Sequence, residues 1–227
     1  MRVTLVDVDG TLVDSQTYKP LTKLLWARRR LRPRMVWLFL KLMPGHLRRN
    51  RSLEDRLASQ NGWVTGYAQL LAGMTVEEAG EILRTACEGL TSKLRPEILS
   101  ELEARRAEGH AIILASTSMA ALLDYLGPMV RATKWVGTPL EVRGGRYTGR
   151  VGGPLCSGEG KLRYIEDLLA SMGTEVEWGE SYAYSDGVPD LPMLEKVGHP
   201  VVVAPDPALA AEAAGRGWPS LAVEMND

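Results

Sequence analysis

LVDVDGTLVD, Leu5 to Asp14, is an apolar run that ends in two aspartates one residue apart, followed by a glycine. With Val3 and Thr4 ahead of it, the run is short and β-branched, which predicts a first strand over Val3 to Val6. Alternation along an extended chain would put Asp7 and Asp9 on one face, aiming both carboxylates at the same place. What lies there depends on the rest of the chain.

After this strand the texture is helical from about Tyr18 to Leu90. Pro33 suits the first turn of a helix over RMVWLFLKLM, and Pro44-Gly45 is expected to stop it. TVEE at Thr75 to Glu78 has the form of a capping box. Beyond Pro96, helices alternate with short apolar strands. PEILSELEARRAEG precedes the run Ala111 to Ala115, and MAALLDYLG precedes a strand near Trp135. PLEVRGGRYTGRV reads as a hairpin turning at Gly144-Gly145. KLRYIEDLLASMG, SYAYS, LPMLEKVG, PVVVA and a helix from Pro207 complete the series. Such alternation predicts an α/β fold: a Rossmann-like, doubly wound parallel sheet covered on both faces, with an inserted α-helical cap. The expected division is a core of residues 1–14 and 93–227 and a cap of residues 15–92.

In open sheets of this kind ligands bind beyond the carboxyl ends of the strands. Four such positions carry polar residues that could converge. They are Asp7-Val8-Asp9-Gly10-Thr11, Ser116-Thr117-Ser118 after AIILA, Lys161 after the glycine-broken CSGEGK, and Asp186 with Asp190 after SYAYS. Carboxylates about 5 Å apart repel by roughly 3 kcal/mol per pair at an effective dielectric near 20. They stay ionised together only with cations among them. Lys161 is one; a hard divalent ion is the other, and Mg²⁺ prefers a few carboxylates, waters and a substrate phosphate. Hydroxyls, a glycine loop and helix N-termini suit phosphate oxygens. The residues therefore point to Mg²⁺-assisted phosphoryl transfer with a carboxylate nucleophile.

DVDGTL, Ser116, Lys161 and SDGVPD, in that order, resemble the four motifs of the haloacid dehalogenase-like superfamily over the whole chain. YTGRVGGPLCSGEGK and YSDGVPDLPML are most similar to the branch that includes phosphoserine phosphatases, whose helical cap follows the first motif. The resemblance implies that Asp7 attacks phosphorus and that Asp9 protonates the leaving alcohol and then activates water. It implies Mg²⁺ held by Asp7, the Asp9 backbone carbonyl and Asp186, with Asp190 orienting that shell. Ser116 and Lys161 would bind phosphate oxygens. An aspartate two residues after the nucleophile is absent from the family's dehalogenases, and its P-type ATPases need membrane helices, so a phosphatase acting on a small phosphate ester is the reading. The glutamate that phosphoserine phosphatases usually carry soon after the first motif is missing, since no glutamate precedes Glu54, and Gly187 stands where serine or threonine is common. Phosphoserine is therefore not the favoured ester. A phosphotransferase or mutase on the same site, and a non-catalytic membrane-associated binding protein, remain as alternatives.

Composition bounds the setting. The 227 residues are 45% hydrophobic and 24% charged, enough for a real core, and the net charge of −1 names no partner. Cys87 and Cys156 form no spacing motif, and nothing resembling a signal peptide precedes Val3, so a cytoplasmic protein is expected. His46, His110 and His199 read as surface or strand-edge residues, Cys156 as packing, and Trp26, Trp37 and Trp63 as cap core. The balance hides one asymmetry: Ser15 to Leu53 holds eleven Lys or Arg and no acid. A solvated helical face, a funnel drawing anionic esters to the site, and peripheral docking on an anionic membrane are the readings of that stretch. The funnel is slightly favoured. Nucleic acid is not expected, as no aromatic-interleaved binding fold is evident.

Overall fold

Strand β1 (Val3–Asp7) is buried along its whole length, and its alternation serves two layers at once. Val3 and Leu5 enter one apolar cluster while Val6 enters the other. The computed structural model describes residues 1–46 and 52–224 of the chain. After β1 come α1 (Tyr18–Ala27), α2 (Arg32–His46), α3 (Leu53–Leu70) and α4 (Val76–Glu88). The chain then returns through α5 (Pro96–Ala107), β2 (Ala111–Met119), α6 (Ala120–Met129) and β3 (Lys134–Thr138). A hairpin of β4 (Leu140–Arg143) and β5 (Arg146–Val151) follows, then α7 (Glu159–Ser171), β6 (Tyr182–Ser185) and α8 (Leu191–Lys196). The described chain closes with β7 (His199–Val203), α9 (Pro207–Arg216) and β8 (Ser220–Leu221).

The main sheet has six strands in the order β3-β2-β1-β6-β7-β8, and every pairing is parallel. The chain winds outward from β1 on one side through β2 and β3, and on the other through β6, β7 and β8. The carboxyl end of β1 is therefore the point where strand order reverses, the place where such folds hold ligands. One face of the sheet is covered by α5 and α6 through residues such as Leu102 and Leu126, with α4 packed on α6 and α1 on α4. The other is covered by α7, α8 and α9 through Ile165, Leu194 and Leu209. The α/β, doubly wound architecture expected from the sequence is the observed one.

The β4–β5 hairpin turns at Gly144 and Gly145, both at positive φ (56° and 73°), as a tight two-residue turn requires. It stands apart from the main sheet and hydrogen-bonds the turn between α3 and α4, through Gly73 N–H to Tyr147 O (2.8 Å) and Val76 N–H to Gly145 O (3.0 Å). The capping box at Thr75 and Glu78 is present, and a second one, at Ser52 and Asp55, opens α3.

Two local expectations are corrected. Pro44-Gly45 does not stop α2, which runs on to His46. The N–H that Pro44 lacks would have bonded the Leu40 carbonyl, and Leu40 lies on the helix's most exposed side, 72% accessible, where water can serve that carbonyl instead. Arg48, Arg49 and Arg51 lie outside the described residues. Among the described residues no helix is long and apolar enough to cross a membrane.

Candidate active site

β1 ends at Asp7, and the chain then folds back on itself: Leu12 N–H bonds Asp7 O (3.3 Å), Val13 N–H bonds Val8 O (3.0 Å) and Gly10 N–H bonds Val13 O (3.0 Å). Asp9 thus sits in a turn beyond the strand. Asp7 and Asp9 line the same cavity, of about 410 Å³, because this turn carries Asp9 back over the strand end. Strand alternation is not the cause.

Asp7 is 6% exposed and is held from two sides. Its Oδ1 is 2.7 Å from the Lys161 ammonium, and its Oδ2 accepts from the Thr11 hydroxyl at 3.2 Å. Lys161, from the first turn of α7, also reaches Asp190 Oδ1 at 2.6 Å. The other oxygen of Asp190 accepts from Ser185 at 2.6 Å. Asp190 is therefore fully engaged as a brace for Lys161. The Thr11 hydroxyl lies 3.3 Å from Asp186 Oδ1 as well, yet it has one proton for two carboxylate oxygens. Asp186 can come so close to β1 only because residue 10 is glycine: a Cβ there would fall 2.2 Å from Asp186 Oδ2, and φ is +92°.

The charges do not balance. Burial pushes the Asp7 carboxyl up to about 7, against the pull of Lys161 and with a further push from Asp190. Asp186 is held well above the usual carboxylate range by burial first, then by Asp7 and Asp190. Burial also raises Asp9, opposed by two hydrogen bonds from Thr17. For Lys161, burial disfavours the ammonium, but Asp190 and Asp7 outweigh it and hold its pKa above the ordinary value. A buried set with one fixed cation and an excess of carboxylates calls for a second cation. Asp7 and Asp186, sharing one hydroxyl proton, supply the hard oxygen donors that Mg²⁺ prefers. Among the described residues no three acidic, histidine or cysteine side chains close on one point, so any ion here would complete its shell with backbone carbonyl and water, as Mg²⁺ does.

A prediction follows for the metal-free protein. The folded Asp7 pKa lies above its unfolded value, so the folded state keeps a proton that the unfolded chain releases. That contribution is whole below about pH 4 and is lost as pH rises through about 7. In EDTA the melting temperature should fall from pH 6 to pH 8, and millimolar Mg²⁺ should restore most of the difference. Equal melting at both pH values, with no Mg²⁺ effect, would remove the charge imbalance argued here.

Ser116 is buried at the end of the apolar part of β2, and its hydroxyl accepts the Ser118 N–H at 3.0 Å. Thr117, Ser118 and Met119 are the residues of this strand that line the cavity. The sequence places Ser118 among the polar residues of this strand end without a role for it, and gives no role to Thr17, which immediately precedes α1. Thr17 gives its backbone N–H to the Asp9 carboxylate, and its hydroxyl lies between Asp9 Oδ2 (3.2 Å) and Ser118 Oγ (3.1 Å). A polar residue just ahead of a helix, eight positions after the aspartate, was the available signal. Cys156 is fully buried with its thiol pushed up to about 12 by burial, as suits packing.

The helical side of the cavity is aromatic. Tyr18 of α1 stacks on Trp63 of α3, with ring centroids 5.3 Å apart and planes 2° apart, and Tyr67 flanks both. Trp63 is thus more than cap core, since it also lines the cavity. Among the described residues, Lys19 is the one Lys or Arg of the basic stretch that lines it too.

The family model for haloacid dehalogenase-like hydrolases matches residues 4–195. A probable phosphatase of Mycobacterium tuberculosis is 36% identical over 158 residues, 69% of this chain and 54% of that protein. A histidinol-phosphatase of Neisseria meningitidis is 32% identical over 154 residues, 66% of this chain and 69% of that protein. The alignments with the first of these curated relatives span about half of their length. Among solved structures, a Bordetella pertussis protein of unknown function covers 97% of this chain and 98% of its own at a TM-score of 0.77 and 26% identity. A substrate-bound phosphoserine phosphatase shares the fold over 93% of this chain and 90% of its own, at a TM-score of 0.64 and 16% identity. With its four motifs gathered at the strand ends and the family match running through all of them, the chain belongs to the haloacid dehalogenase-like hydrolases.

Proposed function

We propose that the chain is a Mg²⁺-dependent phosphomonoester hydrolase that works through an aspartyl-phosphate on Asp7. The observation that carries this reading is the environment of Asp7: a buried carboxylate at the switch point, held between Lys161 and Thr11, beside a second carboxyl whose burial favours the protonated form. The phosphatases among the relatives support the reaction class.

In the first step an Asp7 oxygen attacks phosphorus and the P–O bond to the leaving alcohol breaks. Asp9, as the carboxylic acid, gives that oxygen its proton. In the second, the Asp9 carboxylate takes a proton from water, the water oxygen attacks phosphorus, and the acyl-phosphate bond breaks to free phosphate and Asp7. Thr17 holds Asp9 in place through two hydrogen bonds, which keeps one carboxyl at hand for both transfers. Lys161 would bind the phosphate oxygens, with Ser118 lining the cavity and Ser116 holding the Ser118 N–H from behind. Asp7, the Asp9 carbonyl and Asp186 would hold Mg²⁺, which would supply charge neutralisation of the phosphate. Asp190 keeps Lys161 aimed at Asp7.

The ester is a small one. The helical wall of the cavity offers Tyr18, Trp63, Tyr67 and Lys19 but no carboxylate, so it does not provide a partner for a substrate ammonium. The test is hydrolysis of p-nitrophenyl phosphate with Mg²⁺ and with EDTA, with methanol added in a parallel reaction. Metal-dependent release of nitrophenol with stoichiometric inorganic phosphate is expected. Methyl phosphate as the main product would make the chain a phosphotransferase, and no turnover under any condition would leave a binding protein.

A further inference from the structure

The helix α2 carries two apolar stripes, and the fold uses one. Leu31, Met35 and Leu38 point inward and are buried. Pro33, Val36, Trp37 and Leu40, spaced i, i+3, i+4 and i+7, share the opposite face. Val36 is 45% exposed, Trp37 56% and Leu40 72%. A helix packed on a core normally turns polar residues outward, so a second apolar stripe demands an occupant. Trp26, at the end of α1, is exposed as well. These positions overturn the expectation that Trp26 and Trp37 belong to the cap core.

The charged residues that border the stripe are all cations. On the helical wheel Arg32 falls on one flank and Arg34 and Lys41 on the other, with Arg29 and Arg30 in the 3₁₀ turn just ahead. The Arg32 guanidinium lies 5.7 Å from the centre of the Trp26 ring and the Lys41 ammonium 5.0 Å from that of Trp37. No acid interrupts the sequence from Ser15 to Leu53. The funnel reading needs these charges at the cavity, whereas among the described residues Lys19 is the one Lys or Arg of the stretch that lines it.

We propose that the outer face of α2, together with Trp26, docks on an anionic membrane surface. The apolar ridge enters the headgroup boundary, the tryptophans lie at the level where an aromatic body and a polar edge are both satisfied, and the flanking arginines and lysine meet lipid phosphates. Charge decides between this occupant and a second copy of the chain. An isologous contact through the stripe would oppose Arg32, Arg34 and Lys41 with their own counterparts. A bilayer rich in anionic lipid opposes them with the opposite sign. The proposal is independent of the chemistry at Asp7, since none of these residues lines the cavity.

The experiment is co-sedimentation of the full chain with vesicles of phosphatidylcholine alone or with about 30% phosphatidylglycerol, at low and high salt. Wild type should pellet with the anionic vesicles at low salt, release as salt rises, and stay in solution with phosphatidylcholine. Trp37→Glu with Leu40→Glu should weaken that binding at least tenfold while hydrolysis of a soluble aryl phosphate is unchanged. Arg34→Gln with Lys41→Gln, which keeps the apolar ridge, should weaken it less and flatten the salt dependence. Equal binding to neutral and anionic vesicles, or binding unaffected by the Glu pair, overturns the proposal. So does a wild-type dimer that the Glu pair converts to monomer without any vesicle binding, which would give the stripe to a second copy.

Discussion

Asp7→Asn should abolish aryl phosphate hydrolysis, by at least about 10⁴-fold or roughly 5 kcal/mol of transition-state stabilisation, while making the metal-free protein more stable at pH 8. The two effects have one origin. An amide of the same size cannot form the acyl-phosphate, so the covalent route is closed. The carboxylate it replaces is buried and pushed up to about 7, so ionising it above that pH costs stability, and asparagine removes the cost. Lys161 keeps a partner in the variant, because Asp190 remains 2.6 Å away. Turnover of p-nitrophenyl phosphate and melting in EDTA at pH 8 measure the two sides. Activity near wild type would end the nucleophile assignment, and a lower melting temperature would end the electrostatic one.

Lys161→Met should have the largest effect on stability. It strips the described cation from Asp7, Asp186 and Asp190, leaving buried carboxylates that face one another. Breaking a buried pair in this way costs about 3–5 kcal/mol, which for a chain of this size corresponds to a fall in melting temperature on the order of 10 °C. The deficit should depend on pH. Asp7 and Asp186 already have folded pKa values above their unfolded ones, and losing the cation raises them further, so protonation relieves the repulsion at low pH and stability drops as pH rises through the folded values. Melting should therefore be closer to wild type at pH 5.5 than at pH 8, with activity lost at both. Lys196→Met is the control: its ion pair with Glu166 spans 2.7 Å at the surface and should be worth less than about 1 kcal/mol. Equal shifts in the two variants would mean that Lys161 is an ordinary helix lysine.

The sheet was legible because its signals are local. Val3 to Val6 is β-branched and apolar, Gly144-Gly145 meets the φ demands of one turn type, and Thr75 with Glu78 closes a box within one helical turn. The candidate site was legible as residue types at strand ends, since each charged group there announces itself. What joins those groups was not. Thr17 reaches Asp9 and Ser118 only because α1 starts over the strand ends, and Thr11 bridges Asp7 and Asp186 only because a turn follows β1. Trp26, Trp37 and Trp63 are alike by composition, yet Trp63 backs the cavity while the other two face outward. Helical period assigns a face, but α2 is apolar on two faces, and only the packing of Leu31, Met35 and Leu38 says which one turns inward. Pro44 misled for a related reason, as its missing donor matters little where a carbonyl meets water.

The place of β1 in the sheet has a consequence for how the chain is made. Val6 pairs with Leu114 on one side and Tyr184 on the other, so the strand leaves the ribosome before either neighbour and waits for both. Until residues beyond Ser185 are out, β1 has an unpaired edge of backbone groups and an apolar strand with one side open. Such long-range pairing is slow to form and exposed to aggregation meanwhile. The helices α1 to α4 pack on one another, on α6 and on β5, all of which precede β6, and can gather first. Nascent chains stalled between β2 and β6 should therefore be protected from protease in the helical segment well before Asp7 is sealed between its neighbours. On that order of events β1 is translated ahead of both its partners and is among the last strands to be locked.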